Sequence, residues 1–137
     1  MPVKKQINVV GAVVVREDTV LAAQRSAAMS LPGLWEFPGG KVEADETPQE
    51  ALAREMDEEL LCTVQIGDHV ETTSHEYPFG VVTLTTYYAT LIGDEPQLTE
   101  HSAIRWIPIP VLDSVEWAPA DVPAVQKVMQ DHAAGAA

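Results

Sequence analysis

The stretch from Thr47 to Leu60 constrains the chain more than any other. Thr47 can serve as a helix N-cap, Pro48 falls in the first turn where its missing N–H costs nothing, and Glu50 completes a capping box. Leu52, Met56 and Leu60 follow at i, i+4 and i+8, an apolar stripe that predicts a helix from Pro48 to about Leu60. The same helix carries Glu55, Glu58 and Glu59 at i, i+3 and i+4, so three carboxylates share one face. Like charges at that spacing cost a few tenths of a kcal/mol per pair, and these sit at the helix end where anions are least welcome. A helix with only a structural role gains nothing from them. A hard cation with oxygen ligands reverses the sign, and Mg²⁺ is the natural candidate, with Mn²⁺ as a substitute. Upstream, Gly39-Gly40 allows a tight turn whose backbone carbonyl can add another oxygen ligand. Arg54 is read as lying on a different face from Glu58, free to pair with Glu46 and tie the loop to the helix.

Around this helix the chain reads as one domain over its 137 residues. Ile7–Val15 and Val20–Gln24 are β-rich runs separated by Arg16-Glu17-Asp18-Thr19, a hairpin signal. Lys4 and Lys5 before an apolar run resemble the start of a signal peptide, but the valine richness and the absence of a small-x-small site predict a buried strand instead. Leu31-Pro32-Gly33 and Pro38-Gly39-Gly40 punctuate a loop around Leu34–Phe37. Strand-like runs follow near residues 63–74, 81–92 and 103–107, and Asp121 to about His132 reads as a second helix. Strands flanked by two helices predict an α/β layered fold with a mixed sheet.

Composition then excludes partners. Eight Lys plus Arg stand against 21 Asp plus Glu, a formal charge of −13. That is no footprint for a nucleic acid polymer, and no apolar stretch approaches the ~20 residues of a membrane span. Cys62 is a lone cysteine and permits no internal disulfide; it reads as a small buried residue, and a reducing cytoplasmic location fits.

Gly40, five residues, Glu46, seven residues and then Arg54-Glu55-Met56-Asp57-Glu58-Glu59-Leu60-Leu61-Cys62 resembles the Nudix box. The departure is Leu61, where the family pattern has Gly; a left-handed Leu costs about 1–2 kcal/mol, which predicts a slightly rearranged helix end. The resemblance extends along the chain toward the MutT-like and CTP-pyrophosphohydrolase branch through Ala23-Gln24-Arg25, Leu34 to Glu43, Glu100-His101 and Trp117 to Asp121. It implies an α/β/α sandwich and a metal-dependent pyrophosphohydrolase that converts a nucleoside triphosphate to a monophosphate and pyrophosphate. The implied metal ligands are the Gly39 carbonyl, Glu55, Glu58, Glu59 and Glu100. Arg25 would face the phosphates with help from Lys41, Phe37 would contact the substrate, and Asp121 would meet the base edge.

Several alternatives stay open on sequence alone. Glu55 is the first choice of general base and Glu100 the second, while Arg54 supports the catalytic group. Asp121 can equally cap the second helix, being placed before Val122-Pro123. Asn8, a polar residue in an apolar strand run, either bonds internally or touches the base. Trp35 and Trp117 divide evenly between core packing and stacking; His75 and His101 are read as structural. The substrate reading covers cytidine nucleotides and 8-oxo-dGTP, in nucleotide turnover or pool sanitation. A nucleoside diphosphate-X pyrophosphatase and a silent nucleotide sensor are the competing functions, and the assembly is expected to be a monomer or homodimer.

Overall fold

A computed structural model describes residues 4–135. Its strands are β1 (Gln6–Arg16), β2 (Thr19–Gln24), β3 (Trp35–Glu36), β4 (Gly39–Lys41), β5 (Thr63–Tyr77), β6 (Gly80–Ile92) and β7 (Ala103–Pro108). The helices are α1 (Pro48–Leu60) and α2 (Val122–Ala133), with short 3-10 segments at Ile109–Ser114 and Pro119–Asp121. All seven strands form one sheet with the path β3-β2-β1-β6-β5, while β4 pairs with β1 and β7 with β2. The sheet is mixed: β1 lies parallel to β6 and antiparallel to β2 and β4.

The alternation of β1 explains the layers. Val10, Ala12 and Val14 point to one face, where they bury against Ala51, Leu52, Met56 and Leu60 of α1. Val13 points to the other, packing with Val20, Trp35, Phe37, Trp117 and the Ala124, Val125 and Val128 stripe of α2. Leu52, Met56 and Leu60 are wholly buried. Burial at about 1.5–3 kcal/mol for each such side chain outweighs the few tenths per carboxylate pair, so packing holds α1 in place despite its charges. This is the expected α/β/α sandwich.

The capping box is present: Glu50 N–H donates to Thr47 Oγ1 at 3.1 Å, and Thr47 N–H to Glu50 Oε1 at 2.8 Å. The β1–β2 hairpin closes through Glu17 and Asp18, both at positive φ (50° and 63°), the two-residue geometry that matches strand twist. Ile7–Val15 is indeed a strand. Three expectations need correcting. Gly39–Lys41, read as loop, is a strand because its backbone pairs with Val9–Gly11 of β1. The helix end is not rearranged: Leu61 adopts φ 52° and ψ 39°, and its N–H still donates to the Asp57 carbonyl at 3.1 Å. Its side chain projects half-exposed, so the cost falls on the backbone alone. Asp121 makes no side-chain cap on α2, whose first turn starts from a helical Asp121 backbone.

Candidate active site

Two regions meet along β4. On the α2 side of the sheet lies a cavity of about 420 Å³, walled by Ile7, Val9, Arg25, Phe37, Tyr77 and Asp121, with β4 at its rim. On the α1 side stands the carboxylate row. Gly40 marks the boundary: a Cβ there would lie 2.3 Å from the Glu55 carboxylate, so the absence of a side chain lets strand and carboxylate meet.

Arg54 organises the row. Its Nε and Nη2 hold Glu46 bidentately at 2.7 and 2.9 Å, Nη2 also donates to the Lys41 carbonyl at 3.0 Å, and Nη1 reaches Glu55 Oε1 at 2.8 Å. The guanidinium holds the Glu46 carboxyl down at about 2. The expected loop-to-helix tie is therefore present, with one correction. Arg54 does share a face with Glu58, as an i, i+4 pair must, and Nη1 donates to Glu58 Oε2 at 3.2 Å. Glu55 is buried beneath β4, and burial pushes its carboxyl up against the opposing pull of Arg54.

Glu100 arrives from the far end of the chain and is set beside Glu59. The preceding loop is fastened to the C-terminus of α1: Gln97 N–H donates to the Leu60 carbonyl at 2.8 Å, and the Thr99 hydroxyl donates to the Glu59 carbonyl. These donors satisfy carbonyls that every helix end leaves unpaired, where α1 offers no basic residue in its last turn. Glu59 thereby lies beside Glu100, and burial together with that like charge pushes its carboxyl up to about 7. Among the described residues no three of these acids stand in one ready-made cage, because Arg54 draws Glu55 and Glu58 while Glu59 leans on Glu100. The donor set still fits a hard divalent cation: all oxygen, anionic, and containing a like-charge contact that a cation relieves.

The cavity brings together Arg25, Phe37, Gly39, Lys41 and Asp121. Arg25 is more engaged than a free phosphate clamp: Nη1 binds Glu36 at 2.6 Å, Nε donates to the Ser30 carbonyl at 2.5 Å, and Nη2 to the Ser30 hydroxyl at 3.0 Å. Asp121 is buried, its Oδ2 accepting from the Phe37 N–H at 3.0 Å. Burial, aided by the nearby Glu36 charge, pushes its carboxyl well above the usual range. In the neutral form this carboxyl offers an O–H donor as well as acceptor lone pairs. Asn8 does not line this cavity. It is exposed at a shallow neighbouring depression beside Lys5, Gln6 and Lys41. Trp35 and Trp117 are buried core, Trp117 packing at 4.7 Å on the Phe37 ring and donating from Nε1 to the Leu112 carbonyl.

Sequence reasoning gave Glu36 no role and read His101 only as structural. Glu36 is shared between Arg25 on Oε1 and His101 Nε2 on Oε2 at 2.8 Å. The one available signal was the position of Glu36 between two residues that were singled out, Trp35 and Phe37.

The NUDIX domain family model matches residues 5–130. The chain is 44% identical over 119 residues to a putative 8-oxo-dGTP diphosphatase 2 of Mycobacterium tuberculosis, covering 85% of this chain and 82% of that one. It is 36% identical over 130 residues to a CTP pyrophosphohydrolase of Escherichia coli, covering 95% and 96%. A solution structure of a MutT protein from methicillin-resistant Staphylococcus aureus superposes with a TM-score of 0.78 at 56% identity, covering 93% of this chain and 98% of that one.

Proposed function

The chain belongs to the NUDIX domain family and is a hydrolase of nucleotide phosphoanhydride bonds; on that premise we propose that a cytidine nucleotide or 8-oxo-dGTP is cleaved to the monophosphate and pyrophosphate. The observation that carries this reading is the juxtaposition along β4 of a base-sized cavity with buried Asp121 in its wall and a carboxylate row behind it. Its volume lies in the range of small-molecule pockets. Relatives named for 8-oxo-dGTP and for CTP support the same two substrate classes. The matched family region covers most of the chain, which we read as one catalytic domain.

The family uses a divalent metal, which we assign here as Mg²⁺ held by Glu55, Glu58, Glu59 and Glu100 with the Gly39 carbonyl. When bound it supplies charge neutralisation at the phosphate oxygens and a more acidic water. The protein's own groups do the rest. Arg54 fixes the orientation of Glu55 and Glu58, and Glu55 takes the proton of the attacking water. Burial raises its carboxyl above the usual range, the direction that strengthens a base. Lys41, which makes no ion pair among the described residues, faces the phosphates, with Arg25 reaching from the cavity wall. Phe37 and Asp121 bind the base. No described helix is long and apolar enough to cross a membrane, consistent with the cytoplasmic location we propose.

Turnover of a panel of ordinary and oxidised nucleotides with Mg²⁺ in ¹⁸O-labelled water tests this reading. We expect label in pyrophosphate, from attack at the β-phosphorus, and the highest kcat/KM among cytidine nucleotides or 8-oxo-dGTP. Release of a nucleoside diphosphate and free phosphate would overturn it.

A further inference from the structure

Among the carboxylates assigned to the metal, Glu100 is the one that α1 does not carry. It sits in the segment between β6 and β7, so something must fix its backbone against the helix. On one side Gln97 and Thr99 bind the last carbonyls of α1. On the other, Ser102 N–H donates to the Gln24 carbonyl at 2.9 Å. Between them the adjacent residue, His101, turns inward. The residue is 5% exposed, Nε2 donates to Glu36 Oε2 at 2.8 Å, and Nδ1 is buried with no hydrogen-bond partner among the described residues.

A buried imidazole nitrogen without a partner is costly to keep. The ring is anchored through one polar bond only, and that bond leads to the carboxylate that also holds Arg25 in the cavity wall. We propose that His101 is a positioning residue: by donating to Glu36 it pins the loop so that Glu100 stays against Glu59, linking the nucleotide cavity to the carboxylate row. This rests on the role given to Glu100 above. His101 itself touches neither substrate nor reacting atoms. The chain Arg25–Glu36–His101–Glu100 runs from one half of the site to the other, and losing its middle link frees Glu100 without touching α1.

The experiment compares His101→Phe, which keeps a ring but no donor, with His101→Gln, which restores an N–H to Glu36. Outer groups that orient metal ligands typically govern activity or metal affinity by about 10–100-fold. We expect His101→Phe to lower kcat on that scale with the nucleotide KM little changed, and to weaken Mn²⁺ binding followed by free-ion electron paramagnetic resonance. His101→Gln should recover most of both. Backbone amide resonances of 97–102 should shift in the Phe variant while those of α2 stay in place. Should the phenyl ring not be accommodated, His101→Asn, too short to reach Glu36, carries the same expectation. The cycle is completed in a Glu100→Gln background, where replacing His101 should cost nothing further in kcat or Mn²⁺ affinity. An equal loss in both backgrounds makes His101 a packing residue and overturns the inference while leaving the role of Glu100 intact. Wild-type turnover by Glu100→Gln overturns that role and the inference together.

Discussion

Asp121 shows how much one side chain's surroundings can change its meaning. Its Oδ2 is held by the Phe37 N–H, and among the described residues Oδ1 takes no hydrogen bond, so that oxygen is left to the cavity. An ionised Oδ1 accepts from the N4 amine of cytosine and repels the O4 of uracil; a protonated one can donate to O4. The preference for CTP over UTP should therefore widen as pH rises and Asp121 ionises. Asp121→Asn, which presents a donor at every pH, should narrow the kcat/KM ratio by about tenfold, the scale of one good polar contact to a base edge, and remove its pH dependence. The stability effect has a definite sign. The folded pKa lies above the unfolded value near 3.9, so the unfolded chain binds fewer protons in that window and stability falls as pH rises through it. Melts should show Asp121→Asn closest to wild type near pH 4 and relatively more stable toward neutrality. A constant offset at every pH would contradict this account. The sequence singled out Asp121 as a candidate but gave no sign of its Phe37 partner, because contacts across 84 residues follow no local period.

At the level of elements, local chemistry made α1 legible down to its cap, since Thr47, Pro48 and Glu50 act on neighbours within one turn. β4 was not legible: Gly-Gly-Lys has no strand propensity, and it is a strand only because β1 lies beside it. Its two glycines do different jobs, and alanine at each should separate them. At Gly39 a Cβ would lie 1.9 Å from the Val10 carbonyl oxygen, which is backbone and cannot yield. At Gly40 it would meet the tip of the flexible Glu55 side chain. Gly39→Ala should lower the melting midpoint markedly, whereas Gly40→Ala should melt close to wild type but lose most turnover. The reverse pattern would refute the assignment of Gly40 as the seat of Glu55. The C-terminus of α1 offers a third test. Leu61→Gly removes a left-handed strain of about 1–2 kcal/mol and returns part of it as backbone entropy, for a net stabilisation of about 1 kcal/mol by denaturant titration. A destabilised variant would mean that the Leu61 side chain packs more than its exposure suggests.

Charge belongs to the whole molecule. At −13 the protein repels a polyphosphate at long range, and salt shortens that reach from about 30 Å at 0.01 M to about 8 Å at 0.15 M. At fixed free Mg²⁺, kcat/KM should thus rise a few-fold with moderate salt, opposite to an enzyme that steers its substrate electrostatically. A steady decline would point to a local attractive patch that dominates the encounter. The parallel pairing of β1 with β6 carries a different consequence. Gln6 lies beside Val81 and Val14 beside Ala89, so the central pair of strands joins residues some seventy-five positions apart. Closing so long a loop is an entropic barrier that local contacts cannot offset. On the ribosome, α1 and the first hairpin can form early while the sheet that seats them waits for β6, and Glu100 and Asp121 follow later still. Refolding should therefore show helical signal rising ahead of regained turnover, with catalytic competence tied to the slow step.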